Sequence, residues 1–138
     1  MKYFVEVAKP HVWGEIAEKA HYLGFKEHRS KEMDRIDFAL VVCDEKGIVG
    51  YNTVIEFDSE TAYIQHGAAL GEHRGQNLSG EMFSLVLEKL KEMGFKRAVL
   101  RVENKNIPML KLALNMGFLA VGMWVFGGGT YLQMNKEL

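Results

Sequence analysis

Tyr63-Ile64-Gln65-His66-Gly67-Ala68-Ala69-Leu70-Gly71-Glu72-His73-Arg74-Gly75-Gln76-Asn77-Leu78-Ser79-Gly80 is the stretch on which the fold turns. It opens as a strand, bends through small and polar residues, and closes on what the spacing predicts as the first turn of a helix. The leading N–H groups of a helix have no intrahelical partners and carry partial positive charge. A small-residue corner feeding one is therefore a natural seat for phosphate. An ordinary strand-to-helix connection with glycines for turning has the same composition, so this stretch alone leaves both readings standing.

Working outward, the spacing predicts a helix from Gly75 to Gly94, with Leu78, Met82, Leu85, Val86, Leu90 and Met93 on one face and Gly94 as its stop. Ala98 to Val102 is the next strand. After a helical crossover its partner is expected to be the Thr61–Ala69 strand, running parallel. Asn106 can cap a further helix with Pro108 in its first turn; that helix is apolar nearly all round and so expected to be buried. Gly117 ends it, and Ala120–Phe126, Gly127-Gly128-Gly129 and Thr130–Asn135 read as a closing hairpin.

Upstream, Asp37–Cys43 and Ile48–Phe57 flank the turn Asp44-Glu45-Lys46-Gly47. With Thr61–Ala69 they make an antiparallel meander that delivers the chain to the corner. Tyr3–Val7 is weakly strand-like, Pro10–Gly24 has helical spacing, and the charged Lys26–Arg35 stretch reads as either a short second helix or a loop.

With 138 residues, 48% hydrophobic and 25% charged, the chain has the profile of one soluble globular domain. A net charge of −1 gives no general attraction to nucleic acid or anionic membrane, so an anionic ligand must be held by local geometry. The single cysteine, Cys43, rules out an intrachain disulfide and suits a reducing compartment. No signal-peptide pattern or long apolar run is present, and a cytoplasmic location is expected. The histidines have no zinc-site spacing, so no metal is expected. Glu81 stands where a Walker lysine would be, which argues against an NTPase.

Three patterns in order now carry weight together: Arg74-Gly75-Gln76-Asn77-Leu78-Ser79 at the corner; Leu100-Arg101-Val102, then Asn106, then Asn115-Met116-Gly117-Phe118; and a tail closing on Tyr131-Leu132-Gln133-Met134-Asn135-Lys136-Glu137-Leu138. With the element order, they resemble the GNAT superfamily of acyl-CoA-dependent N-acetyltransferases across essentially the whole chain. The resemblance implies a single domain over residues 1–138. Its class is α/β in the α+β sense, a mixed, mostly antiparallel sheet with splayed central parallel strands and helices on both faces. It implies acetyl transfer from acetyl-CoA to a primary amine of a small molecule or protein, and leaves room for a homodimer. A catalytically impaired acyl-CoA-binding or protein-interaction module of the same fold is the alternative.

By position, the resemblance places Gly67, Ala68 and Ala69 against the pantetheine arm, with the Gly67 N–H on the thioester carbonyl. A parted strand edge offers the free amides that such an arm needs. Arg74, Gly75, Gln76, Asn77, Leu78, Ser79 and Gly80 would hold the pyrophosphate, and Asn106 the arm's other side. Asn77 and Ser79 replace family glycines. Ala113 stands where many family members carry a tyrosine acid, and Tyr63 where some carry a base, with Gln65 on the same face; these two would relay a proton through water. His66 alternates away from them and reads as packing or surface, and His73 as a solvent-facing turn. Glu103 reads as a solvated strand-end carboxylate, Tyr131 as sheet packing, and Cys43 as inert core. Trp13 and Trp124 would either line an acceptor pocket or fill core.

Overall fold

The computed structural model describes residues 2–8, 37–70 and 78–138. The helix expected over 10–24, with Trp13 and the Lys26–Arg35 stretch, and His73, Arg74, Gly75, Gln76 and Asn77 of the corner all lie outside them.

Among the described residues, seven strands form one sheet: β1 (Phe4–Val7), β2 (Phe38–Asp44), β3 (Gly47–Glu56), β4 (Thr61–Ala69), β5 (Arg97–Glu103), β6 (Leu119–Phe126) and β7 (Gly129–Glu137), in the order β1-β2-β3-β4-β5-β7-β6. Every adjacent pair is antiparallel except β4 and β5. The β2–β3 turn closes with the Lys46 amide donating to Asp44 Oδ1 at 2.8 Å and Gly47 at φ 132°, a conformation that β-carbons disfavour. At the other end, Gly127 and Gly128 at φ 58° and 82° turn β6 into β7. β6 forms the sheet's outer edge and is exposed along its length.

Among the described residues, two helices, α1 (Gly80–Glu92) and α2 (Ile107–Asn115), cross over one face of the sheet. Met82, Phe83, Val86, Leu87 and Leu90 of α1 join Leu40, Val42, Val54, Ile64, Ala98 and Leu100 from the strands in the main core. A smaller cluster of Ala39, Val41, Cys43, Tyr51, Ala68 and Leu70 lies on the opposite face. α1 begins at Gly80 rather than Gly75, because Ser79 is its cap: the Ser79 backbone is extended and its hydroxyl accepts from the Met82 amide at 3.2 Å. α2 also differs from expectation. Only Ala113 is fully buried, while Ile107 is 50% and Leu114 56% exposed. The helix packs by one face, through Met109, Leu110 and Met116, so its all-round apolar composition does not mean all-round burial.

Gly117 follows α2 at φ 93°, in the left-handed region. Alanine there is expected to cost about 1 kcal/mol in a denaturation measurement, from backbone strain. The added methyl would meet only Lys136 Nζ at 2.7 Å, the end of a side chain free to swing away.

Tyr51 is 2% exposed in the smaller cluster, and burial pushes its phenol up to about 12. A buried phenolate is disfavoured, whereas the unfolded chain ionises near pH 10. The stabilisation is therefore complete below pH 10 and is lost as pH rises from 10 through 12. We expect up to about 3 kcal/mol of stability to disappear over that window, and Tyr51→Phe to remove that component; urea midpoints at pH 9 and 11.5 measure both.

Candidate active site

β4 and β5 pair only through Thr61–Arg97, Ala62–Ala98 and Tyr63–Val99; beyond these, β4 continues to Ala69 on β3 and β5 to Glu103 on β7 without pairing to each other. The strands part as expected, and a cavity of about 150 Å³ opens between them. Ile64 to Gly67 form one wall and Leu100 to Val102 the other. Leu78, Phe83, Met109 and Leu112 close its helix side.

A β-bulge accompanies the parting. Thr53 of β3 opposes His66 while Val54 opposes Ile64, leaving Gln65 as the extra residue. The bulge resets the two-residue alternation. Ala62 and Ile64 point into the helix-side core, yet Ala68 and Leu70 point into the opposite cluster. His66, expected to alternate away from Tyr63 and Gln65, therefore shares their face and lines the cavity. A glycine beside two polar residues within a strand is a bulge signal, and Gln65-His66-Gly67 carries it.

The amides follow from the register. Leu70 N–H donates to Val49 O at 2.7 Å, and the unbroken register back to His66 turns the Ala68 and His66 amides the same way, toward β3. The N–H groups of Gly67 and Ala69 consequently turn toward the gap. Ala68 was expected to meet a ligand arm; its amide faces β3 and its side chain packs in the opposite cluster. A β-carbon on Gly67 would lie 2.8 Å from Tyr51 O and collide with the Asn52 side chain, so only glycine fits. Asn52, 4% exposed, donates through Nδ2 to His66 O at 3.5 Å and keeps Oδ1 buried at the cavity without a hydrogen-bond partner. No local pattern in the sequence marks Asn52, because its position depends on cross-strand register.

Gln65 lines the cavity and accepts at Oε1 from the Thr53 hydroxyl at 3.5 Å. Tyr63 stands at the fork, its ring 5.1 Å from Phe57 and 4.9 Å from the Arg101 guanidinium, outside the cavity lining. Trp124 stacks on that guanidinium at 3.9 Å. At the helix side, the Ser79 hydroxyl is occupied by capping, and the N–H groups of Gly80 and Glu81 are the leading donors of α1. Leu78 packs against Gly50 and lines the cavity. Asn106 Oδ1 accepts from the Met109 amide at 3.3 Å, capping α2 at an exposed position that is not itself part of the cavity lining, although Met109 is. Burial raises the Cys43 thiol above its usual range, in keeping with an inert core residue. Among the described residues no group of three or more His, Cys, Asp or Glu is placed to hold a metal ion, and no helix is long and apolar enough to cross a membrane.

Residues 6–118 match the family model described as the acetyltransferase (GNAT) family. No curated protein sequence matches the chain. Among solved structures, a GNAT family acetyltransferase from Elizabethkingia anophelis with acetyl-CoA bound is 16% identical, with 99% of each chain covered and a TM-score of 0.71. The dodecameric spermidine N-acetyltransferase from Vibrio cholerae is 15% identical, covering 99% of this chain and 94% of that one, with a TM-score of 0.74. At such identities the likeness is one of fold.

Proposed function

This chain belongs to the acetyltransferase (GNAT) family, and from that premise we propose that it moves an acetyl group from acetyl-CoA to a primary amine. The observation that carries the reading is the parting of β4 from β5 beyond Tyr63 and Val99, beside a glycine whose N–H faces the gap.

The residues present suit the cofactor. Gly67 and Ala69 offer amide donors, the orphaned Oδ1 of Asn52 offers a buried acceptor, and the absence of a side chain at Gly67 lets a ligand backbone approach closely. The first amides of α1, with Arg74, Gly75, Gln76, Asn77, Leu78, Ser79 and Gly80, receive the diphosphate. When bound, acetyl-CoA supplies an activated thioester: the amine nitrogen bonds to the carbonyl carbon, the carbon–sulfur bond breaks, and the proton shed by nitrogen balances the thiolate. Gly67 holds its N–H where negative charge gathers on the carbonyl oxygen. Gln65, with His66 beside it on the same face, orients water that carries the proton away. Tyr63 acts at one remove, holding Arg101 at the fork. The parted walls fix amine and thioester together, which lowers the entropic part of the barrier.

The test is CoA release over a mixed amine panel, run beside calorimetric titration with acetyl-CoA. Turnover with any amine supports the proposal. Binding without turnover supports a second reading, a cofactor-binding module, for which the specific observation is Ala113, fully buried where the family's tyrosine acid would stand.

A further inference from the structure

Arg101 follows the last β4–β5 pair by two residues on β5 and lines the cavity. Its neighbours Leu100 and Val102 point into the helix-side core, so Arg101 projects from the opposite face. Its guanidinium is stacked at 3.9 Å on Trp124, with Tyr63 at 4.9 Å and Phe57 at 5.5 Å. Its Nε is buried and has no hydrogen-bond partner, and among the described residues no carboxylate forms an ion pair with it. Three rings brought from the β3–β4 turn, β4 and β6 thus hold a cation at the cavity while leaving its buried Nε–H without a hydrogen-bond partner.

Aromatic faces attract the charge of a guanidinium and satisfy none of its donors. A partly buried arginine without an anion is costly, and the partner its planar fork matches is a carboxylate, held by two parallel hydrogen bonds. That anion is not the cofactor's diphosphate, whose seat at the start of α1 lies on the other face of the sheet. We propose that Arg101 binds the carboxylate of the acceptor, and that the acceptor is an amine of the amino-acid class, bearing its carboxylate close to the reacting nitrogen. This rests on the acetyl-transfer reading above and narrows its substrate. The same cation repels polyamines, whose additional ammonium groups would enter the cavity unpaired.

The experiment compares amines in matched sets, a free amino acid, its carboxamide and its decarboxylated amine, with acetyl-CoA as donor, in the wild type, Arg101→Gln and Arg101→Lys. The wild type should favour the carboxylate member by roughly 100-fold in kcat/KM. Arg101→Gln should bring that ratio close to one, chiefly through KM for the amino acid, and Arg101→Lys should fall between because it keeps the charge and loses the fork. A wild-type ratio of one or below, or a ratio unchanged in Arg101→Gln, overturns the proposal while leaving acetyl transfer intact. If no amine is turned over, acetyl transfer fails, and the subsite is read instead by thermal shift with the same three ligands in the presence of CoA. Stabilisation by the amino acid alone, lost in Arg101→Gln, supports it, and equal or absent stabilisation overturns it. Should Arg101→Gln not fold, the wild-type ratio and Arg101→Lys decide alone.

Discussion

Exchanging Gly67 for glycolic acid, which swaps its N–H for an ester oxygen and adds no side chain, is expected to lower turnover by about 10²–10³-fold while leaving the KM for acetyl-CoA nearly unchanged. That is the usual consequence of removing one donor from developing negative charge. The fold should survive, because the register turns this N–H toward the gap rather than into the β3–β4 ladder. Alanine is a poorer probe: its β-carbon would sit 2.8 Å from Tyr51 O and against Asn52, mixing a collision with the chemistry. CoA release at saturating acetyl-CoA measures the effect, and turnover within twofold of the unmodified protein would remove Gly67 from the reaction.

Phe118→Ala should cost about 3–5 kcal/mol of stability, among the largest losses available in this core. Phe118 is fully buried, its ring lies 6.0 Å from that of Phe83, and its amide donates to Ala113 O at 2.9 Å. It therefore ties the end of α2 to α1 across the helix side of the cavity. Truncation leaves a void between α1, α2 and the sheet that the surrounding packing can fill only in part. Thermal unfolding should fall by roughly 10 °C or more. Leu114→Ala, at a position 56% exposed on α2, is the control and should shift stability by no more than about 0.5 kcal/mol. Similar losses for the two would mean that α2 does not pack as described.

The parts of this molecule that the sequence makes legible are those set by local period and by chain punctuation. The apolar spacing from Leu78 to Met93 places a helix against the sheet, and Gly94 and Gly117 end their helices at positive φ as their positions suggest. The crossover between β4 and β5 is long enough to demand a parallel pair, and that pair is present. What escapes a sequence reading is set between strands. The bulge at Gln65 turns His66 to the Tyr63 face, because one unpaired residue inverts every side chain after it. Asn52 reaches Gly67 only through the β3–β4 register. Arg101 finds Trp124 because β7 intervenes between β5 and β6 and still leaves a long stacked side chain within reach. The start of α1 shifts for a local reason: a serine hydroxyl satisfies the Met82 amide and fixes Gly80 as the first helical residue.

The most direct test of the open gap between β4 and β5 is an amide-resolved NMR titration with acetyl-CoA. The largest shifts should fall on Gly67 and Ala69, on Leu100–Val102 across the gap, and on Gly80 and Glu81 at the start of α1, with Ala68 and the β2–β3 turn little affected. Saturable binding that leaves Gly67, Ala69 and the α1 start unmoved, or no binding at millimolar acetyl-CoA, would contradict the account.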